Sequence, residues 1–264
     1  IDGTTATGYV ANSNSTGALN GTPSLIVSNG AAIATGLTLA STSNIIKGLV
    51  CSNFNSYGIN ITSGSNSVLG CYLGMAADGT TAGNTQADGI LISNCANNII
   101  GNGTTTGRNL ISGQASGGFG INLTGASSTG NTIKGNIIGL KKDGVTLVSS
   151  TTQDEGIYFA VDCGGSNTVG GTSATDGNLI SGNSNDGIWV KGGSQTIKAN
   201  IIGPQADGIT YISSDQYAGI LLSTSSNTIG GTGAEGNVIS GNDLAGLYLA
   251  SVSNNVVKGN FIGV

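Results

Sequence analysis

Histidine is absent from all 264 residues. That removes Ser-His and Cys-His nucleophiles and imidazole metal ligation, and leaves acid–base work to carboxylates. Two-carboxylate glycoside hydrolysis needs a pair held about 5 to 9.5 Å apart across a cleft, one with a raised pKa. The nearest grouping is Asp154 with Glu155, followed one strand later by Asp162. Adjacent residues on a strand point to opposite faces, but these two close a long loop and read as its solvated end. A lyase would want a base beside an ion. The single arginine, Arg108, falls in a loop with no acidic residue nearby in sequence and reads as a surface charge. No catalytic residue and no cofactor is expected, and the chain is expected not to be an enzyme.

Calcium is the remaining ionic chemistry to weigh. Asp78-Gly79-Thr80-Thr81, Asp143-Gly144-Val145-Thr146 and Asp207-Gly208-Ile209-Thr210 occupy equivalent places in three long loops. Loops two coils apart would stand roughly 10 Å from each other, too far to share an ion ligated at about 2.4 Å. Asp-Gly is also a common tight-turn pair, so turn chemistry is expected. Gly230-Gly231-Thr232-Gly233-Ala234-Glu235-Gly236-Asn237-Val238 approximates a calcium-binding nonapeptide, but it occurs once, and Asp176 and Arg108 take the acid's place in the equivalent loops. No metal site is expected.

The elements that would position any site follow from a repeat. Asn44, Asn66, Asn98, Asn131, Asn167, Gln195, Asn227 and Asn255 recur at spacings of 22, 32, 33, 36, 28, 32 and 28 residues. Each unit holds three short strand-like pieces. The first ends at residues such as Ile133 and Val169, the second at residues such as Ile138 and Ile180. The third has the form Gly-apolar-x-apolar, as in Gly156 to Phe159 and Gly187 to Val190. Three such strands separated by Gly, Asn, Ser and Asp predict an all-β solenoid, a parallel β-helix of about eight coils running as one domain over 1–264. Crossover preference predicts the right hand. With 47 glycines and no sustained i, i+3, i+4 pattern, helices are not expected. The Asn column and its second partner at Asn109, Asn136, Asn178, Asn200, Asn237 and Asn260 are predicted to stack as structural amide ladders.

Outward columns are where a binding function would show. Thr132, Thr168, Thr196 and Thr228 form one rank, but the next outward positions are Lys134, Gly170, Lys198 and Gly230, so the flat second rank of an ice-binding surface is missing. Second strands present Tyr72, Leu110, Ile137, Leu179, Ile201, Val238 and Phe261. Third strands present Leu91, Asn122, Tyr158, Trp189, Leu221 and Tyr248. Soluble chains rarely leave such strips in water. Either the long loops 74–88, 139–155 and 203–218 fold over them, or a partner does. The candidate binding residues are Leu91, Tyr158, Trp189, Leu221 and Tyr248, facing another chain or a sugar polymer.

Only 8 % of residues are charged, the net charge is −5 and the eight Lys and Arg are scattered, so no nucleic-acid partner is expected. No apolar run approaches the roughly 20 residues of a membrane span. The four cysteines have neither zinc spacing nor stacking geometry for disulfides, and free thiols are expected. The Ser/Thr/Asn/Gly-rich, acidic composition predicts an extracellular or cell-surface setting.

Asp2-Gly3-Thr4-Thr5 followed by Gly8-Tyr9, with Ile46-Lys47-Gly48-Leu49-Val50, Gly177-Asn178-Leu179-Ile180-Ser181-Gly182-Asn183 and Gly259-Asn260-Phe261-Ile262-Gly263, resembles the bacterial secreted β-helix repeat proteins of pectate-lyase-like architecture. The resemblance spans essentially the whole chain and implies secreted or surface proteins, many without enzymatic activity. Its enzymatic cousins act on acidic polysaccharides through carboxylate clusters, or through calcium with a basic residue. Those patterns are absent here. The expected function is therefore an extracellular structural solenoid, a building block of a surface layer, adhesin or filament. It would form part of a longer solenoid or self-associate end to end through uncapped outer coils and laterally through the apolar strip. The alternative is a β-helix that binds or processes carbohydrate on its third-strand face.

Overall fold

The computed structural model describes residues 1–28, 33–83, 86–148, 153–212 and 216–263. Within these the chain is a right-handed parallel β-helix of about eight coils. Second strands, from Leu25–Ser28 to Phe261–Ile262, form a nine-stranded sheet. First strands, from Ile45–Lys47 to Val256–Lys258, form an eight-stranded sheet, and third strands, from Thr35–Leu39 to Ala245–Leu249, form another. All neighbours in the three sheets pair parallel, coil upon coil. Residues 1–2 extend the first-strand sheet: Asp2 bridges Lys47 in parallel, and the Lys47 N–H donates to the Ile1 carbonyl at 3.1 Å. The described residues contain no α-helix, only three single-turn 3₁₀ segments.

Period-two alternation sends one apolar column of each sheet inward. Ile133, Ile138, Ile157 and Phe159, the inward residues of one coil, are all fully buried in the axial core. The register holds across coils: Ile111 stacks on Ile138 and Ile138 on Ile180, while Leu123 stacks on Phe159 and Phe159 on Val190. Cys51 stacks on Leu73 in the same column. All four cysteines are buried and unpaired.

The corners between strands are held by amide ladders. In the first, Asn98 Nδ2 donates to Asn131 Oδ1 at 3.0 Å, Asn131 to Asn167 at 2.9 Å, and Asn167 to Gln195 Oε1 at 3.1 Å. In the second, Asn109, Asn136, Asn178, Asn200 and Asn237 each donate to the next, ending at Asn260, at 2.8 to 3.0 Å. Cys71 stands at the head of this ladder and gives its backbone N–H to Asn109 Oδ1. A third ladder, unseen in the sequence, turns the second strands into the third: Gln153 donates to Asn183, Asn183 to Gln216 and Gln216 to Asn242 at 2.7 to 2.9 Å.

The outward strip of the second strands is covered from Tyr72 to Leu179, while Ile201 and Val238 are half-buried and Phe261 is exposed. Tyr72, Leu110, Ile137 and Leu179 are buried beneath Met75, Leu140, Val148 and Ile212 of the three long loops, and beneath Leu19 of the N-terminal segment. The loops also lean on one another, Lys142 N–H donating to Gly79 carbonyl and Ala206 N–H to Gly144 carbonyl, both at 3.0 Å. Arg108 corrects its sequence reading. Only 4 % exposed, it donates to the carbonyls of Gly135, Asn14 and Gly17 at 2.9, 3.0 and 2.7 Å. It clamps the N-terminal segment to the coils rather than facing solvent.

Two substitutions test this packing. Ile138→Asp would bury an unpaired charge in the axial core and should lower stability by roughly 3 kcal/mol or more. Ile137→Asp points the other way on the same strand, yet lies under the loops and should destabilise comparably. Chemical denaturation reads both, and a wild-type midpoint for either variant would refute the packing on that side of the strand.

Candidate functional site

Of the faces with apolar outward residues, the third-strand face keeps its column outside both buried clusters. Leu91, Asn122, Tyr158, Trp189, Leu221 and Tyr248 stand in direct register on six consecutive coils. Leu91 is almost buried, whereas Tyr158, Trp189 and Leu221 are half-buried and Tyr248 is exposed. The column is joined by Phe119, whose ring stacks on Tyr158 at 4.6 Å, while Tyr158 meets Trp189 edge to face at 5.6 Å. Trp189 is fixed further, its Nε1–H donating to Ser223 Oγ at 3.1 Å and the Lys191 ammonium lying 4.3 Å from its ring centre.

Carboxylates gather along one flank of these rings. The residue before the recurring Gly of each third strand stacks coil on coil, and this position holds Asp88, Phe119, Glu155, Asp186 and Ala218 in sequence. Glu155 and Asp186 therefore stand on neighbouring rungs, whose spacing is about 4.8 Å. Both are buried, at 2 % and 1 % exposure. Glu155 Oε1 accepts from Asn185 Nδ2 at 2.7 Å, but Oε2 is buried with no partner. Asp186 Oδ1 accepts the Ala218 N–H at 3.0 Å. Asp88 accepts from Phe119 N–H and Asn122 Nδ2. Asp154 lies half-buried beside the pair and accepts the Gly117 N–H at 3.0 Å.

Burial pushes the Glu155 carboxyl up to about 7, with the charges of Asp154 and Asp186 adding to it against the lowering bond from Asn185. Burial likewise raises Asp186 to about 6, and raises Asp88. The sequence reading of Asp154 and Glu155 as a solvated loop end is thus corrected for Glu155, which the third ladder and strand start hold inside. Asp162 stands apart and exposed on the opposite flank, accepting from Thr124 Oγ1 at 3.0 Å. Sequence reasoning missed Asp186. Its signal was positional: acid-Gly-Ile opens three third strands, at Asp88, Glu155 and Asp186.

The ionic loops behave as turns. Asp78 Oδ1 accepts the N–H groups of Thr80 and Thr81 while Oδ2 accepts the Thr81 hydroxyl, and Asp143 and Asp207 repeat the pattern. Glu235 caps its own 3₁₀ turn and pairs with Lys198 at 3.2 Å. Among the described residues no group of three or more acidic or thiol side chains is placed to hold a metal ion. The threonine rank is in register on the first-strand face but half-buried. A cavity of about 430 Å³ lies elsewhere, between the N-terminal segment and the first-strand sheet, lined by Tyr9, Ile45, Lys47 and Asn102.

No protein-family model matches the chain, and no curated protein is detectably similar to it.

The buried acids make stability depend on pH in a definite direction. Their folded pKa values lie above the unfolded ones, so the folded chain holds protons that the unfolded chain has released, and stability falls as pH rises from about 4 through about 7. Asp2 and Asp78, held down to about 2, act oppositely: their contribution is present above about 4 and lost on further acidification. Thermal melting should peak near pH 4 to 5 and decline toward pH 8. Glu155→Gln with Asp186→Asn should flatten the alkaline limb, and an unchanged limb would refute the buried pair.

Proposed function

We propose that this chain is a glycan-binding solenoid whose third-strand face seats an extended sugar polymer on Phe119, Tyr158 and Trp189. The observation that carries this reading is the difference between two faces. The apolar strip of the second strands is covered by the chain's own loops and N-terminal segment from Tyr72 to Leu179, while the aromatic run of the third strands is left accessible, with its rings braced by one another, by Ser223 and by Lys191. Pyranose rings present flat apolar faces to aromatic side chains and hydroxyls to flanking polar groups. Asn122, Asp154, Asn185 and Ser223 supply such groups at the margin of the rings.

Binding without bond cleavage is the form of this reading that the acids favour. Glu155 and Asp186 stand on neighbouring rungs, but with 2 % and 1 % exposure they offer no surface to a glycosidic oxygen. Placement among bacterial secreted β-helix repeat proteins, at the cell surface or outside the cell, belongs to the same proposal and rests on the sequence motifs and composition. The described residues contain no helix long and apolar enough to cross a membrane.

Self-association is the second reading, with the solenoid as a building block of a surface layer, adhesin or filament. It draws on the unpaired edges of the outer coils, where Ile26 and Phe261 are 56 % and 61 % exposed. Continuation of the chain and a second subunit would meet those edges alike. Lateral packing loses most of its basis, because the second-strand strip lies under the loops.

A glycan array followed by titration calorimetry tests the principal reading. A bound oligosaccharide should lose about fivefold to tenfold in affinity with Trp189→Ala, the effect of removing one stacked ring, while melting temperature changes little. Undiminished binding by that variant, or no retention of any glycan, would sink it.

A further inference from the structure

Charge is divided unevenly among the three faces. Lys47, Lys134, Lys198 and Lys258 lie in or beside first strands, the first three paired with Asp2, Asp176 and Glu235 at 2.9, 3.4 and 3.2 Å. Lys141 and Lys142 ride on a loop over the second strands, and Arg108 is sealed beneath the N-terminal segment. Asp78, Asp143 and Asp207 are closed within their own turns. Among the described residues, that leaves Asp88, Asp154, Glu155, Asp162, Asp186 and Asp243 on the third strands and the turns flanking them, with Lys191 as the single cation there.

This concentration is joined to a feature that internal bonding does not explain. Glu155 is 2 % exposed, and its Oε2, beside Asp186 on the next rung, meets no donor. A buried carboxylate oxygen without a donor is unfavourable, and a neighbouring cation relieves it. Lys191 does not serve, because its ammonium lies over the Trp189 ring. The surface beside the rings therefore carries negative charge from Asp154 and Asp186 that no cation among the described residues compensates, and Glu155 adds to it as pH rises through about 7. A polyuronate would be repelled by it, and a neutral glycan would gain nothing from it.

We propose that the third-strand face selects a polysaccharide carrying free amines, of the glucosamine-polymer class, its sugar rings against Tyr158 and Trp189 and its ammonium groups toward Asp154 and the Glu155–Asp186 pair. This deepens the glycan-binding reading and rests on it. A basic peptide would satisfy the charge, but the braced aromatic run matches flat pyranose faces better than lysine stems. Asp154 is the accessible contact; the buried pair sets the local potential.

The experiment compares four hexasaccharides by titration calorimetry near neutral pH: glucosamine, N-acetylglucosamine, β-linked glucose and galacturonate, with hexalysine as a fifth probe. Glucosamine hexamer should bind tightest and weaken as salt is raised, because screening shortens the reach of the acids. Asp154→Asn with Asp186→Asn should weaken it about tenfold and weaken the neutral hexamers by much less, while Lys191→Met should tighten it. Circular dichroism melts confirm that each variant is folded. Equal or tighter binding of a neutral or uronate hexamer, still abolished by Trp189→Ala, overturns this inference and keeps the glycan-binding reading. Binding of no hexasaccharide overturns both. Hexalysine bound as tightly as glucosamine hexamer overturns the assignment in favour of a basic peptide.

Discussion

Everything in this molecule depends on stacking coils in register at the spacing of a parallel sheet. Each coil closes its backbone hydrogen bonds only on its neighbours, so a residue at a given angular position must suit the same residue one rung above and below. The amide ladders are the sharpest expression of that constraint. An Asn at a corner satisfies the backbone N–H of the preceding coil and passes its own Nδ2–H onward, as Asn136 does between Asn109 and Asn178. Glycine enters for a related reason at Gly170, where φ is +81° and a Cβ would collide with the Lys198 carbonyl of the next coil. Side-chain chemistry and backbone closure are thus one requirement, and it repeats at every turn.

That repetition explains which parts were legible in the sequence. The inward Ile, Val and Leu columns, two of the three amide ladders and all eight third strands follow from spacing alone, because one coil predicts the next. The third ladder was hidden because Gln153, Asn183, Gln216 and Asn242 alternate two amide lengths and follow loops of unequal size. Arg108 was misread for a similar reason: its partners Asn14 and Gly17 lie more than 90 residues away in a segment that does not repeat. Covering of the second-strand strip by the long loops was one of two outcomes the apolar pattern allowed, but the contribution of Leu19 was not visible. Local pattern reports the coil, and contacts made across non-repeating chain escape it.

The candidate site lies between these extremes. Tyr158, Trp189 and Tyr248 were placed on one outward column by alternation, and they stand there. Phe119 and Asp186 belong to a neighbouring column, one residue before each third-strand Gly, where alternation breaks at the corner and the face of the side chain cannot be assigned from period two. Burial of Glu155 is likewise a corner effect. Asn185 and the turn around Gln153 enclose it, and neither contact is encoded in the strand pattern.

A solenoid can let its faces diverge because each is a separate column of substitutions over a shared core. On the second strands the outward residues are apolar, and three insertions of loop, together with the N-terminal segment, remove those from Tyr72 to Leu179 from water. On the first strands threonines, glycines and lysines share the outward positions with Ile45, Ile99 and Val256, and Lys47, Lys134 and Lys198 pair with nearby acids. On the third strands the chain keeps aromatic rings uncovered and places acids beside them, three of which, Asp88, Glu155 and Asp186, it buries against the preference of a charged group for water. Burial of that kind opposes stability at neutral pH and is not required by the coil, since Phe119 and Ala218 fill the same stacked position without it. The acids are thus surplus to the architecture, and the face that carries them is where a ligand's chemistry would be met.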